Sequence, residues 1–398
     1  MELDVASLWI LIAAALVLLM TPALGLFYGG MTRATGVVNM MLMSFSAAAI
    51  TAIVWVLWGY SVSAGEPAIA GIIGNPISDF ALHATPESGL LAAGFAGTFA
   101  MISVAIISGA IADRSRFAPW LMFVPLWVTL VYAPVAFWVW GGGMLSADGF
   151  LGKIFGEAID FAGGAVVHVN AGVAGLVCAI VLGPRHGWGR DNMAPHNLAF
   201  TAIGTGLLFV GWMGFNGGSA AGANEIAAVA VFNTLLAPAA AAVGWITVEW
   251  TLKKKPTLLG LLTGVVAGLV AITPAAGFVD PKGAFLIGLI SGPIAYAGAV
   301  WLKHKLKYDD SLDAFGVHGV AGIAGALLTG VFANAAINPA AEGATVLKQA
   351  IGLGGAMVWS AAGTFMVLMI CKYTVGLRVQ TEAEIEGLDY SEHGEALP

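Results

Sequence analysis

His168-Val-Asn-Ala171-Gly172-Val-Ala174-Gly175 and His318-Gly-Val-Ala321-Gly322-Ile-Ala324-Gly325 repeat one pattern, H-x-x-A-G-x-A-G, at positions 150 residues apart. Both copies lie inside apolar runs of membrane length. An ionisable side chain in hydrocarbon is costly, and it characteristically faces a pathway or a protein partner. Two in matching positions point to a duplicated transport core.

The chain around them is built for lipid. Of its 398 residues 59% are hydrophobic and only 10% charged, too few charges to cover a soluble globule of this size. Apolar runs of about 20 residues fall at roughly 7–28, 39–63, 88–112, 117–140, 162–183, 196–217, 224–250, 257–273, 283–303, 314–336 and 347–372. The expected fold is therefore all-α and polytopic, with eleven transmembrane helices. An odd number puts the termini on opposite sides. With the N-terminus outside, the inner loops hold Arg33, Arg114, Arg116, Arg185, Arg190, Lys253 to Lys255, Lys303, Lys305, Lys307, Lys372 and Arg378, which is 13 of the 16 basic residues. Only Lys153, Lys282 and Lys348 fall outside, so the positive-inside rule predicts an outer N-terminus and an inner C-terminus.

Segments one to five and six to ten form two halves, and because five is odd the second enters the membrane the other way round, as an inverted repeat. Further pairs support it. Gly25-Leu-Phe-Tyr-Gly29-Gly30 ends segment one as Gly214-Phe215-Asn216-Gly217-Gly218 ends segment six; Asp160-Phe161 precedes His168 and Asp313-Ala-Phe315 precedes His318. The transport domain is expected over about 1–373, with halves at about 1–190 and 191–345 and the eleventh helix, outside the repeat, at about 347–372. Residues 374–398 form a tail whose Glu382, Glu384, Glu386, Asp389, Glu392 and Glu395 read as a solvated, mobile segment and not as a nucleic-acid surface. Segment one follows Glu2 and Asp4, not a basic stretch, and is expected to remain in the mature protein. Cys178 and Cys371 give neither a disulfide framework nor a metal spacing.

Several residues could carry chemistry. His168 and His318 read alone would be core histidines bonded to backbone; as a matched pair they read as pore residues that meet near the midplane, share one proton and titrate as a unit. Asp160 stands where an Asp caps the orphan N–H groups of a helix, with a secondary electrostatic pull on cations. Phe95, Phe99, Trp138, Trp140, Trp212 and Phe215 cluster towards the outer half. Composition leaves an interfacial belt and a cation vestibule equally open. No H-E-x-x-H or other ligand spacing accompanies the histidines, so neither metal, cofactor nor enzyme is expected. Asn338-Pro339-Ala340 superficially matches a water-channel motif, but occurs once, in an expected outer loop.

The chain resembles the Amt/Mep/Rh ammonium transporter family, and within it the prokaryotic Amt branch, over nearly its whole length. The resemblance rests on Phe27-Tyr-Gly-Gly30, Asp160-Phe-Ala-Gly-Gly-Ala-Val-Val-His168-Val-Asn170, Gly211-Trp-Met-Gly-Phe215-Asn-Gly-Gly-Ser219, Ala223-Asn-Glu225, Thr273-Pro-Ala, Phe315-Gly-Val-His318-Gly and Thr374-Val-Gly-Leu-Arg378. The absence of Asn-x-Ser/Thr sequons disfavours an Rh-type protein. The resemblance implies ammonium recruitment by Phe99, Trp140 and Ser219, a gate of Phe99 over Phe215, an apolar pore lined by His168 and His318, and a supporting role for Asp160. It also implies ammonium or methylammonium as substrate, conducted as ammonia after loss of a proton that returns outside or passes along the histidines. A homotrimer in the cell membrane, contacts with lipid, and a cytoplasmic PII-type (GlnK-like) partner reached through Thr374–Arg378 and the tail complete the expectation. The stretch 145–158 is longer than in several relatives and is assigned no role.

Overall fold

The computed structural model describes residues 4–396. Apart from a small hairpin, Pro67–Ala68 against Ile73–Gly74, the described residues are helical or irregular. Ten helices are long and apolar enough to cross a membrane: α1 Val5–Met31, α2 Val37–Ala64, α3 Glu87–Ile111, α4 Phe117–Trp140, α5 Gly164–Leu182, α6 Leu198–Gly218, α7 Glu225–Lys253, α9 Pro281–Leu306, α10 Phe315–Phe332 and α11 Val346–Thr374. Between α7 and α9 lies α8, Leu258–Ile272, whose 15 residues fall short of the expected span at 257–273. At 1.5 Å per residue α8 reaches only about 22 Å of a hydrocarbon core of about 30 Å. Pro274 explains the early end: it offers no N–H to continue the ladder, and the chain instead turns through residues 273–278.

Helix starts follow local chemistry. The side chains of Asp4, Asn197, Asn224, Thr257, Asp280 and Thr345 each accept a hydrogen bond from the backbone N–H three residues on, satisfying donors that the first helical turn leaves free.

The pairing of helices follows the repeat. α1 packs along α6, its equivalent, and α5 crosses α10, its equivalent. The α5/α10 crossing shows why the repeated pattern carries glycine four residues after histidine. A Cβ on Gly172 would lie 2.3 Å from the Gly319 nitrogen, and one on Gly322 would lie 2.9 Å from Val169 Cγ2. Gly172 thus admits the backbone beside His318, whereas Gly322 makes room for the Val169 side chain beside His168. Both helices also open with a widened π turn, Gly164–Val169 in α5 and Phe315–Val320 in α10. Such turns recur at functional sites because they push one side chain out of helical register.

α11 packs on α4, α5 and α10. Ser360 Oγ donates to the Asn170 carbonyl of α5 at 2.7 Å, and Trp127 Nε1 of α4 donates to Thr364 Oγ1 at 2.9 Å.

The tail departs from expectation. It folds into α12, Thr381–Glu386, and α13, Leu388–His393, which dock on the Arg-rich end of the bundle. Asp389 accepts from Asn39 N at 2.8 Å and Glu392 from Phe117 N at 2.9 Å, so two of its acids sit at the N-termini of α2 and α4, where free donors and the helix dipole favour negative charge. Buried Glu384 accepts from His186 N and pairs with Arg378 at 2.7 Å. Only Glu382, Glu386 and Glu395 of the acidic cluster remain exposed.

Candidate functional site

The two π turns bring His168 and His318 face to face. Their Nδ1 atoms are 3.3 Å apart, their ring centroids 5.3 Å, and both side chains are buried. A hydrogen bond between two δ nitrogens requires that one imidazole carries its proton there and the other presents a lone pair, so a single proton lies between them. Nε2 of His168 is buried with no protein partner among the described residues. The His168 ring lies against Trp212 at 5.1 Å, and Trp212 is held in turn by its Nε1 donating to Thr273 Oγ1 at 2.8 Å.

Phe215, at 5.9 Å from His168, is stacked on Phe99 with centroids 4.0 Å apart and planes 15° from parallel. Both rings are buried. Beyond Phe99 opens a cavity of about 230 Å³ lined by Phe95, Ala96, Phe99, Trp140, Phe161 and Ser219. Ser219 Oγ donates to its own helix at the Phe215 carbonyl, 2.9 Å away, which turns its lone pairs to any donor in the cavity. Trp140 stands edge-on to Phe99 at 6.2 Å, fixed by Nε1 donating to the Asp160 carbonyl at 2.9 Å. Phe99, Trp140 and Ser219 therefore share one cavity, with Phe215 under its floor. Trp138 does not join them: it is buried, donates to the Ile72 carbonyl and packs against Trp359.

Asp160 points away from that cavity, into the start of α5. Its carboxylate accepts from four backbone N–H groups, those of Gly163, Gly164, Ala165 and Val166, at 2.6 to 3.1 Å. The turn demands glycine at 163, where φ is +108°.

The equivalent carboxylate at the other end of the pore is Asp310, not Asp313. Asp310 accepts from Ala314 N at 3.0 Å and Phe315 N at 2.7 Å, eight positions before His318 as Asp160 is before His168. Asp313 instead pairs with Lys303. The motif similarity misled because D-x-F looks like D-F; equal spacing from the histidine was the better signal. Burial, helped by nearby Asp313, pushes the Asp310 carboxyl up to about 6. Burial also disfavours ionised Asp309, but two bonds from the Arg185 guanidinium, at 2.9 Å each, outweigh it and hold that carboxyl below its ordinary range. Arg185 bridges on to Asp113 at 3.3 Å, and fully buried Arg114 donates to the Asp309 carbonyl.

Residues 8–397 match the model of the Ammonium Transporter Family. Among curated relatives, the Ammonium transporter of Aquifex aeolicus is 46% identical, over 97% of this chain and 92% of that one. The Ammonium transporter of Bacillus subtilis is 45% identical, over 98% and 97%. Among solved structures, one described as a Sensor Amt Protein superposes with a TM-score of 0.89 at 30% identity, covering 98% of each chain.

Proposed function

The chain belongs to the ammonium transporter family, and on that premise we propose that it recruits ammonium in the Phe99, Trp140 and Ser219 cavity, strips one proton at the Phe99/Phe215 gate and passes ammonia through the His168/His318 pore. The balance of energies supports the proton loss. A cation over an aromatic face gains about 0.5 to 2 kcal/mol, and desolvating an ammonium-sized ion costs several kcal/mol. The cavity can collect ammonium, but an apolar pore cannot carry it as an ion. Ammonia, being neutral, crosses; potassium has no proton to release and stays behind.

The observation that carries the proton path is the Nδ1 to Nδ1 contact of 3.3 Å. With the shared proton on His168 Nδ1, His168 Nε2 holds a lone pair. It takes the proton that ammonium releases, the shared proton moves to His318 Nδ1, and His318 gives up its Nε2 proton on the far side. Ammonia and proton thus travel separately and one positive charge is moved per passage, after which both imidazoles must return to their starting tautomers before the next. The test is the current evoked by an ammonium pulse in proteoliposomes. Native protein should give ammonium-specific current and none with potassium, and His168→Ala should abolish it. Unchanged current in that variant refutes the relay, and ammonium-driven internal pH change without current in native protein shows the proton to remain outside.

Eleven crossings, counting α8 where it is packed among longer helices, an outer N-terminus and an inner tail agree with the placement of 13 of 16 basic residues at one end. We place the protein in the cell membrane as a homotrimer, for which an open apolar groove along α1, α6 and α7, lined by Trp9, Met213 and Phe232 among others, offers a surface. A PII-type partner would meet the docked tail and the Arg-rich end.

A further inference from the structure

α11 has no counterpart in the repeat, yet near its start it carries a buried amide, Gln349. Its Oε1 accepts from Ile159 N at 2.9 Å, and its Nε2 donates to the Ile159 carbonyl at 2.8 Å and to the Ala326 carbonyl of α10 at 3.2 Å. One side chain therefore satisfies both polar groups of the residue before Asp160. The following groups are taken from other directions: Trp140 Nε1 donates to the Asp160 carbonyl at 2.9 Å, and Phe161 N donates to the Pro274 carbonyl at 3.1 Å. The Asp160 turn and the Trp140 wall of the outer cavity are thus tied to one short strand of backbone, and Gln349 fixes its upstream end.

The equivalent place at the other end of the pore is filled differently. There the carbonyl before the capping carboxylate, that of Asp309, accepts from Arg114 Nη2 at 2.6 Å. A guanidinium and a carboxamide perform the same backbone task, but only the guanidinium brings a charge. Among the described residues none of the ion pairs involves Asp160, whereas Asp309 and Asp313 are paired with Arg185 and Lys303. A neutral clamp adds no opposing full charge beside Asp160, whose carboxylate is held by backbone N–H groups alone.

We propose that Gln349 is a positioning residue for ammonium recruitment: its carboxamide holds the Ile159 peptide, and so the Asp160 turn and the Trp140 ring, while its neutrality preserves the pull of Asp160 on cations. The inference rests on the outer-cavity reading given above and adds to it a residue that touches no substrate.

The experiment measures uptake of radiolabelled methylammonium, with ammonium as competitor, by the full-length protein in proteoliposomes. Gln349→Met keeps the length and loses the three bonds, Gln349→Lys keeps a donor and adds a charge, and Ser360→Ala removes a different α11 bond to α5. Gln349→Met should raise the half-saturating concentration about tenfold with a nearly unchanged maximal rate, as loss of aligned hydrogen bonds would give. Gln349→Lys should raise it further than Gln349→Met, and should still do so in high salt, because salt screens a buried charge little. Ser360→Ala should leave half-saturation unchanged. Trp140→Leu, run beside them, separates the two ideas. If it raises half-saturation and Gln349→Met does not, the clamp is refuted and the cavity stands. If neither does, the cavity reading falls and the clamp with it. A Gln349→Met that lowers only the maximal rate and the folded yield is structural, which overturns the proposal, and a Gln349→Lys with half-saturation no higher than that of Gln349→Met overturns its electrostatic half.

Discussion

Asp160 and Asp310 stand at equivalent places, each eight residues before one of the paired histidines and each accepting free backbone donors at the start of the π turn that carries it. Around Asp160 lie neutral groups, Gln349 and the aromatic wall of an open cavity. Around Asp310 lie Asp309, Asp313, Arg114, Arg185 and Lys303, and behind them the docked tail, with Glu384 held by His186 N and Arg378. The two ends share two capped π turns that bring two imidazoles together. They differ in what surrounds the caps: neutral groups and an open cavity at one, buried charges that need one another at the other. A buried charge without its partner costs several kcal/mol, so the second end is held by mutual dependence and has little freedom to evolve one residue at a time.

The comparison breaks most severely at Asp160. Asp160→Ala leaves four backbone N–H groups without their acceptor, at about 1 to 3 kcal/mol each where they stay dry, and should eliminate measurable methylammonium uptake. Asp160→Asn, which still accepts but lacks the charge, should retain uptake with weakened half-saturation. Equal uptake by the alanine variant and native protein would remove Asp160 from the account.

A smaller effect tests the Asp310 cap by pH. Because the Asp310 carboxyl is raised to about 6 in the folded chain, there it keeps a proton that the unfolded chain, with an ordinary Asp pKa of about 3.9, has already lost. Stability from this group is fully present below the unfolded value and is lost as pH rises through the folded one. Asp309, held low by Arg185, acts in the opposite sense and only at more acid pH. Between about pH 4 and 6, thermal unfolding in detergent should therefore show native protein losing stability relative to Asp310→Asn as pH rises. Parallel curves would contradict the buried state assigned to Asp310.

Much of this was legible in the sequence, for identifiable reasons. The histidine pattern is legible because glycine at 172 is required by the Gly319 backbone, which leaves no room for a Cβ, and glycine at 322 makes room for the Val169 side chain. The span at α8 was overestimated because hydropathy continues through Thr273 while the helix ends at Ile272 and gives way to turns over residues 273–278. The tail read as solvated because charge density was visible and the free donors at the starts of α2 and α4 were not. Trp138 and Trp140 could not be told apart by composition. At about 100° per residue they face nearly opposite sides of α4, one into the core and one into the cavity, and only the packing of neighbours decides which. Gln349 carried a faint signal, a lone amide within an apolar helix, but its partner is the backbone of Ile159, which no side-chain pattern reveals.

The central claim is that selectivity arises from proton loss above a dry histidine pore and not from the aromatic plug itself. Uptake of potassium and of methylammonium by Phe215→Ala in proteoliposomes tests it directly, because that change removes half of the stack at 4.0 Å and keeps both histidines. The account predicts continued methylammonium uptake, competed by ammonium, with no potassium entry. Potassium entering at a rate comparable to methylammonium would show that the stacked rings alone had excluded ions, and would contradict it.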